Sequence, residues 1–263
     1  MIVLNRDFLI NSTSSKGNQQ KFFIDNTWYK IDFLGYEALS EAVISRILSA
    51  NGIDCAKYDI TLAEYNGVEQ IACKSKNFLK PADDLVSLKR MFEFGDFDKK
   101  RFERLSTAEK IQYTANYASL ITKIGADEII GYLHILLFVD AVFLNEDRHF
   151  ANINFVFDND EKKWKTAPIF DNGAGLLSDT KIEYPLDGKT LRMAEKVKAK
   201  PFSADFEKQL AAVRTLDGAD MEMKADLAAI FDFIDKTPYS AAIKERVKIL
   251  LEFQTKKYGI KLL

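Results

Sequence analysis

The sequence predicts an α+β fold in two lobes, a small strand-rich lobe over residues 1–80 and a larger helical lobe over 81–263 that together make one domain. Three observations carry this. Before Pro81 the apolar runs are short and rich in aromatic and β-branched residues, at 22–25, 28–33, 58–65 and 69–74. After it, apolar residues recur at helical spacing over long stretches. One interval, 145–175, interrupts the helical pattern. There two apolar runs, 153–157 and 165–170, flank Asp158-Asn-Asp-Glu-Lys-Lys163, all turn formers and charges, which reads as a β-hairpin.

Composition sets the outer limits. With 263 residues, 47% hydrophobic and 29% charged, the chain is long enough for a sizeable core and has an ordinary globular balance. A formal net charge of −2 argues against a dedicated nucleic-acid binder, which is usually basic. Cys55 and Cys73 are too few for a disulfide framework and lack metal-site spacing, so they read as buried thiols in a reducing compartment. No basic segment followed by a long apolar run opens the chain. Its most apolar stretch, 131–144, is too short for a bilayer and contains His134 and Asp140. The expectation is a cytoplasmic protein with no membrane contact and no direct nucleic-acid binding.

In the first lobe, residues 11–20 form a small polar loop between apolar runs. Gly17 would let the backbone approach a ligand so that successive N–H groups cradle phosphates, although a plain β-turn fits the same residues. Alternation along 28–33 puts Trp28, Lys30 and Asp32 on one strand face and Tyr29, Ile31 and Phe33 on the other. Leu39, Ala42, Val43, Ile47 and Leu48 recur at helical spacing over 36–51, and Gly52 closes that helix as a left-handed cap. Glu37 and Glu41, four residues apart, share one of its faces. Residues 69–78 read as a strand running out into a connector at Pro81.

In the second lobe, residues 83–105 read as solvated helical surface without chemistry. Ser106 and Glu109 make a capping box opening a helix that ends at Gly125. Residues 128–144 are apolar nearly all round, hence the buried centre of this lobe, and deliver the chain rigidly to Asp147. The stretch 176–201 has few apolar residues and a basic run, Lys189, Arg192, Lys196, Lys198 and Lys200. It reads equally as a solvated loop or as a site for an acidic or nucleic-acid-bearing substrate. Three amphipathic helices, 204–216, 221–235 and 241–258, complete the chain.

A hairpin returns its second strand beside the start of its first, so Asp171 should lie near Asn152 and Asp147. Two carboxylates and an amide converging at one end of a ribbon suit Mg²⁺ bound with a nucleotide, since Mg²⁺ takes a few protein oxygens and leaves its other positions to water and phosphate. Asp147-Arg-His-x-x-Asn152, followed after the hairpin by Asp171-Asn-Gly173, resembles the lipid-kinase-related branch of the protein-kinase-like fold. Within that branch it resembles the HipA-like bacterial serine/threonine kinases. Gly17-Asn-Gln-Gln-Lys21 is similar to their GxQxK phosphate loop, and Phe170 stands where a tyrosine is usual.

The resemblance implies a two-lobed protein-kinase-like fold and ATP- and Mg²⁺-dependent phosphoryl transfer to a serine or threonine hydroxyl. It implies that Gly17, Asn18 and Gln19 hold phosphates, that Lys30 pairs with them, and that Glu41 rather than Glu37 holds Lys30 in place. Asp147 would orient the attacking hydroxyl, Asn152 and Asp171 would hold Mg²⁺, and Ser75 and Asn77 would border the adenine at a hinge over 75–78. Arg148 and His149 are scaffold, and Ser14 maps onto an autophosphorylated serine. Implied partners are ATP, a protein substrate and an antitoxin-like regulatory protein. The chain is shorter than the full-length toxins and is expected to lack an additional N-terminal subdomain, so their toxin role and aminoacyl-tRNA-synthetase substrates are not carried over. Two other readings use the same residues: a small-molecule or lipid kinase, and a nucleotide-binding pseudokinase acting as an interaction module.

Overall fold

Among the described residues, six strands preceding Pro81 pair into one sheet. In the computed structural model, which describes residues 1–10 and 19–263, these are β1 (Ile2–Leu4), β2 (Leu9–Ile10), β3 (Lys21–Ile24), β4 (Thr27–Ile31), β5 (Asp59–Tyr65) and β6 (Val68–Lys76), in the order β1-β5-β6-β4-β3-β2. Ser14, Gly17 and Asn18 lie outside the described residues. Asp25 and Asn26 join β3 to β4 with φ of 48° and 57°, the pair of positive values that a type I′ hairpin turn needs. That turn sets Lys21 directly opposite Lys30.

Alternation then sorts the sheet's faces as the sequence suggests. Phe22, Ile31, Leu4 and Tyr65 close a small core on one side. On the other, Cys73 and Tyr58 pack against Ala38 and Ala42 of helix α1 (Glu37–Ala50), whose small side chains let the helix lie close to the strands. Asn51 caps α1 and Gly52 comes next with φ +69°.

Asp32 sits at this junction. Its Oδ1 accepts the Ala38 N–H at 2.6 Å, and its Oδ2 lies 2.6 Å from the Tyr239 hydroxyl, tying the sheet to the C-terminal helices. Burial, with Glu37 beside it, pushes the Asp32 carboxyl up to about 8. The folded state therefore keeps a proton that the unfolded chain releases near the ordinary carboxylate range, so this site favours folding most below pH 4 and loses that advantage as pH rises toward 8. Asp32→Asn, neutral throughout and able to keep both contacts, should match the wild type in acid. It should become more stable than the wild type toward pH 8, by up to about 1.4 kcal/mol per pH unit. Thermal melts at pH 5, 6, 7 and 8 read this directly.

The expected hairpin is β8 (Asn154–Asp158) with β9 (Lys163–Thr166). It gains a third strand that the sequence pattern does not reveal. Residues 83–105 are not simply solvated helix: Asp83–Ser87 forms β7, which pairs antiparallel with β8 and places Val86 opposite Phe155. The short helices α2 (Leu88–Phe94) and α3 (Lys99–Arg104) come after it, and they bury Leu88, Met91 and Phe102. Phe92 and Phe97, stacked with centroids 3.8 Å apart, join Phe150 and Tyr117 in an aromatic cluster under the loop beyond Asp147. The charges of this stretch masked an apolar face spread over two short helices rather than one long one.

Helix α4 (Thr107–Thr122) opens with the Ser106/Glu109 capping box. It does not end at Gly125: Lys123 takes the left-handed position at φ 63°, and Gly125 instead precedes α5 (Ala126–Phe143) as its N-cap. Helix α5 is the buried axis of the lobe. The stretch 176–201 is anchored rather than merely solvated, with a short helix α6 (Thr190–Ala194) and buried Tyr184, Ala194, Val197 and Ala199. Helices α7 (Phe206–Asp217), α8 (Leu227–Asp235) and α9 (Ala241–Lys257) pack around α5 and α1. The helix expected from 221 begins only at Leu227, because Lys224–Ala225 forms β10, paired parallel with β11 (Lys261–Leu262). Among the described residues no helix is long and apolar enough to cross a membrane.

Candidate active site

Lys30 is the centre of the site. It sits on β4 with a nearly buried side chain, and its Nζ lies 2.6 Å from Glu41 Oε1 and 2.6 Å from Asp171 Oδ1. Glu41 is 1% exposed and spends its second oxygen on the Asn172 N–H at 2.9 Å. Glu37 does other work: its carboxylate accepts from the backbone N–H groups of Leu34 (2.6 Å) and Gly35 (3.0 Å). Lys21, across the hairpin from Lys30, reaches Asp171 at 3.4 Å. Like charges directly opposite on paired strands repel, and the Asp171 carboxylate between them offsets that cost.

Electrostatics derive from this geometry. Burial alone would lower the Lys30 pKa, but Asp171 and Glu41 outweigh it and hold the ammonium well above its usual range. Burial would likewise raise Asp171, yet Lys21, Lys30 and Arg148 keep its carboxyl far below the ordinary carboxylate range. Asp171 occupies the left-handed region at φ 62°, a conformation uncommon for residues other than glycine and concentrated at turns and working sites. The glycines after it permit close approach: a Cβ on Gly175 would meet Phe143 O at 3.0 Å and Ser40 Oγ at 3.0 Å.

The loop bearing Asp147 is built around Arg148. This guanidinium, fully buried, binds Asp140 through Nε (3.0 Å) and Nη2 (3.0 Å), and Asn172 Oδ1 at 2.7 Å. Its Nη1 reaches the carbonyls of Asn152 (3.0 Å) and Phe170 (3.1 Å). One side chain thus fastens the start of the hairpin to its return, and that brings Asp171 beside Asn152. Arg148→Lys removes the planar fork and leaves Asp140 and two carbonyls underbonded, so about 3–5 kcal/mol of stability should be lost, read by urea unfolding.

Asp147 itself is held by the Asn145 Oδ1, which accepts its N–H at 3.3 Å, and by Asn152, whose Nδ2 donates to Asp147 O at 3.2 Å. Lys200 Nζ donates to Asp147 Oδ1 at 3.1 Å, and His149 Nε2 stands 3.9 Å from Oδ2. Burial lowers the His149 pKa despite the neighbouring Asp147, leaving a neutral ring beside the carboxylate at pH 7. The sequence places Lys200 only within a basic run, and Lys21 only inside a loop motif. Nothing in either local pattern announces its carboxylate partner.

Two cavities meet at Lys21 and Asp171. The polar one is lined by Asp147, Asn152, Asp171 and Gln19, among others. The other, about 220 Å³, is mostly apolar and bounded by Trp28, Tyr58, Phe78, Leu85 and Phe170. Ser75 and Asn77 line it, but their side chains are engaged locally: Ser75 Oγ donates to Lys76 O at 3.3 Å, and Asn77 accepts from Trp28 Nε1 at 3.4 Å while donating to Leu79 O at 3.3 Å. Backbone groups are therefore what this edge can offer a ligand. Asn152 Oδ1 receives no hydrogen bond from any described residue, and with the Asp171 carboxylate it supplies hard oxygen donors on one cavity wall, which fits Mg²⁺. Among the described residues there is no cluster of three His, Cys, Asp or Glu side chains able to hold a metal.

No family model matches the chain, and no curated protein matches it in sequence. Solved structures do match its fold. The crystal structure of the proinflammatory kinase CtkA of Helicobacter pylori superposes with a TM-score of 0.65 at 18% identity, covering 98% of this chain and 94% of that one. HipA of Shewanella oneidensis MR-1, solved as a toxin–antitoxin complex with HipB and operator DNA, gives 0.50 at 13% identity, covering 95% and 67%. The chain shares with these two structures a two-lobed, protein-kinase-like fold.

Proposed function

We propose that the protein is an ATP- and Mg²⁺-dependent kinase that transfers a phosphoryl group to a serine or threonine hydroxyl of a protein substrate. The observation that carries this reading is the buried Lys30, held between Glu41 and Asp171 where an apolar, base-sized cavity opens into a polar one bearing Asp147 and Asn152. The apolar cavity suits adenine, with backbone groups of the 75–78 segment at its polar edge. Asp171 and Asn152 would hold Mg²⁺, which when bound neutralises charge on the phosphates. Lys30 is charged at every physiological pH and supplies fixed positive charge where the transferring group becomes more anionic. Asp147 orients the acceptor hydroxyl and takes its proton, while Asn145 and Asn152 fix the loop. Gly17 and Asn18 complete the phosphate end in this reading, with Ser14 as the self-modified residue. A regulatory partner, as HipA has in HipB, is the corresponding expectation for this chain.

Intact-mass measurement after incubation with ATP and Mg²⁺ tests this. The wild type should gain a phosphoryl mass on itself or transfer it to an added protein, and Asp147→Asn should do neither. ATP left unconsumed in every case would contradict the proposal.

A further inference from the structure

The chain is acidic overall, yet residues 189–200 hold five basic residues against one acid, Glu195. Lys189, Arg192, Lys196, Lys198 and Lys200 are all exposed, while Val197 at 8% and Ala199 at 4% turn inward. The last three lysines therefore share the outer side of one segment, and its inner end is Lys200, in contact with Asp147 at 3.1 Å. Among the described residues no acid lies within ion-pair distance of the other four cations, although exposed lysines elsewhere, such as Lys80, Lys257 and Lys261, are paired.

The segment is also held in place. Gln209, 1% exposed on α7, accepts from the N–H groups of Phe202 (2.8 Å) and Ser203 (3.2 Å) and donates to Lys200 O at 3.1 Å. Arg246, 3% exposed, grips the upstream part through the carbonyls of Tyr184 and Pro185, each at 2.6 Å. Two buried side chains thus position a row of lysines, two of which (Lys196 and Lys198) meet no acid among the described residues, leading to the carboxylate assigned to the acceptor hydroxyl.

We propose that Lys196, Lys198 and Lys200 form the acceptor-substrate site, and that its ligand is an acidic segment of a protein chain. The site rests on the phosphotransfer reading. Peptide is favoured over nucleic acid because residues 189–200 contain no aromatic side chain on which a base could stack, and because the chain's net charge of −2 disfavours a long polyanion. Spacing narrows the ligand further. At no more than about 3.6 Å per residue, Lys198 lies within about 7 Å and Lys196 within about 14 Å of Lys200 along the chain. Acidic residues about two to four positions from the acceptor serine would meet them.

The test uses the full chain and two fluorescein-labelled peptides with one central serine, flanked at those positions by glutamate or by lysine, together with a single-stranded oligonucleotide of equal charge to the acidic peptide. Anisotropy should show the acidic peptide binding best, with affinity falling as salt rises. Lys196→Glu/Lys198→Glu should weaken it roughly tenfold or more, with nucleotide affinity and melting temperature confirming an intact fold. Equal binding of the two peptides, insensitivity to the double variant, or tighter binding of the oligonucleotide would each overturn the proposal. Phosphate transfer is read separately by mass. Lysine-dependent acidic selectivity with ATP left unconsumed contradicts phosphotransfer and leaves an acidic-peptide site without its acceptor role. Equal transfer to both peptides contradicts the site and leaves phosphotransfer standing.

Discussion

Lys30→Met is expected to lose nucleotide-dependent mass gain altogether and to unfold at a lower temperature than the wild type. Methionine fills similar space but leaves Glu41 Oε1 and Asp171 Oδ1, each 2.6 Å from the missing ammonium, without their shared cation. Removing one partner from a buried ion pair costs about 3–5 kcal/mol. The lower end applies here, because Asp171 keeps Lys21 and Glu41 keeps the Asn172 N–H. About 3 kcal/mol corresponds to a melting temperature roughly 6–12 °C lower for a chain of this size. The loss should also depend on pH. Asp171 titrates far lower in the fold than in the unfolded chain, so its contribution is present at neutral pH and is lost as pH falls. Without Lys30 the Asp171 pKa rises, and the acid limb of the stability curve should move to higher pH.

The second large effect separates chemistry from binding. Asp147→Asn keeps the shape of the loop and its backbone contacts to Asn145 and Asn152, but an amide cannot take a proton. Turnover should fall by roughly 10²–10⁴ while the KM for ATP stays close to that of the wild type. Loss of the ion pair with Lys200, whose side chain is 45% exposed, should by itself change stability little. A comparable fall in nucleotide affinity would mean that Asp147 binds the nucleotide rather than orienting the acceptor.

Much of this arrangement is legible in the sequence because it rests on short-range pattern. The alternation around Lys30, the turn-rich gap between two apolar runs and the five-residue step from Asp147 to Asn152 each impose local geometry. The hairpin then brings Asp171 back toward the loop, and Arg148 is what ties the two together. The cross-strand pairing of Lys21 with Lys30 is also within reach of the sequence, since a two-residue turn at Asp25-Asn26 forces that register.

The hidden features depend on long-range packing. β7 is lost among the charges of 83–105, because a short edge strand with two leading aspartates shows little alternation until β8 lies beside it. Lys200 is one cation among five, and its approach to Asp147 is set by Gln209 on a helix with no visible chemistry. The clasp between Asp32 and Tyr239 spans 207 positions, beyond any local signal. The left-handed Lys123, in place of the expected glycine, marks a helix end fixed by the need to start α5 three residues later rather than by residue preference.

Calorimetric titration of the full chain with a non-hydrolysable ATP analogue tests the shared nucleotide cleft most directly. Saturable binding at one site is predicted, dependent on Mg²⁺, lost in Lys30→Met, strongly weakened in Asp171→Asn and retained in Asp147→Asn. Absence of binding to the wild type, or binding that neither Mg²⁺ removal nor Asp171→Asn disturbs, would contradict it.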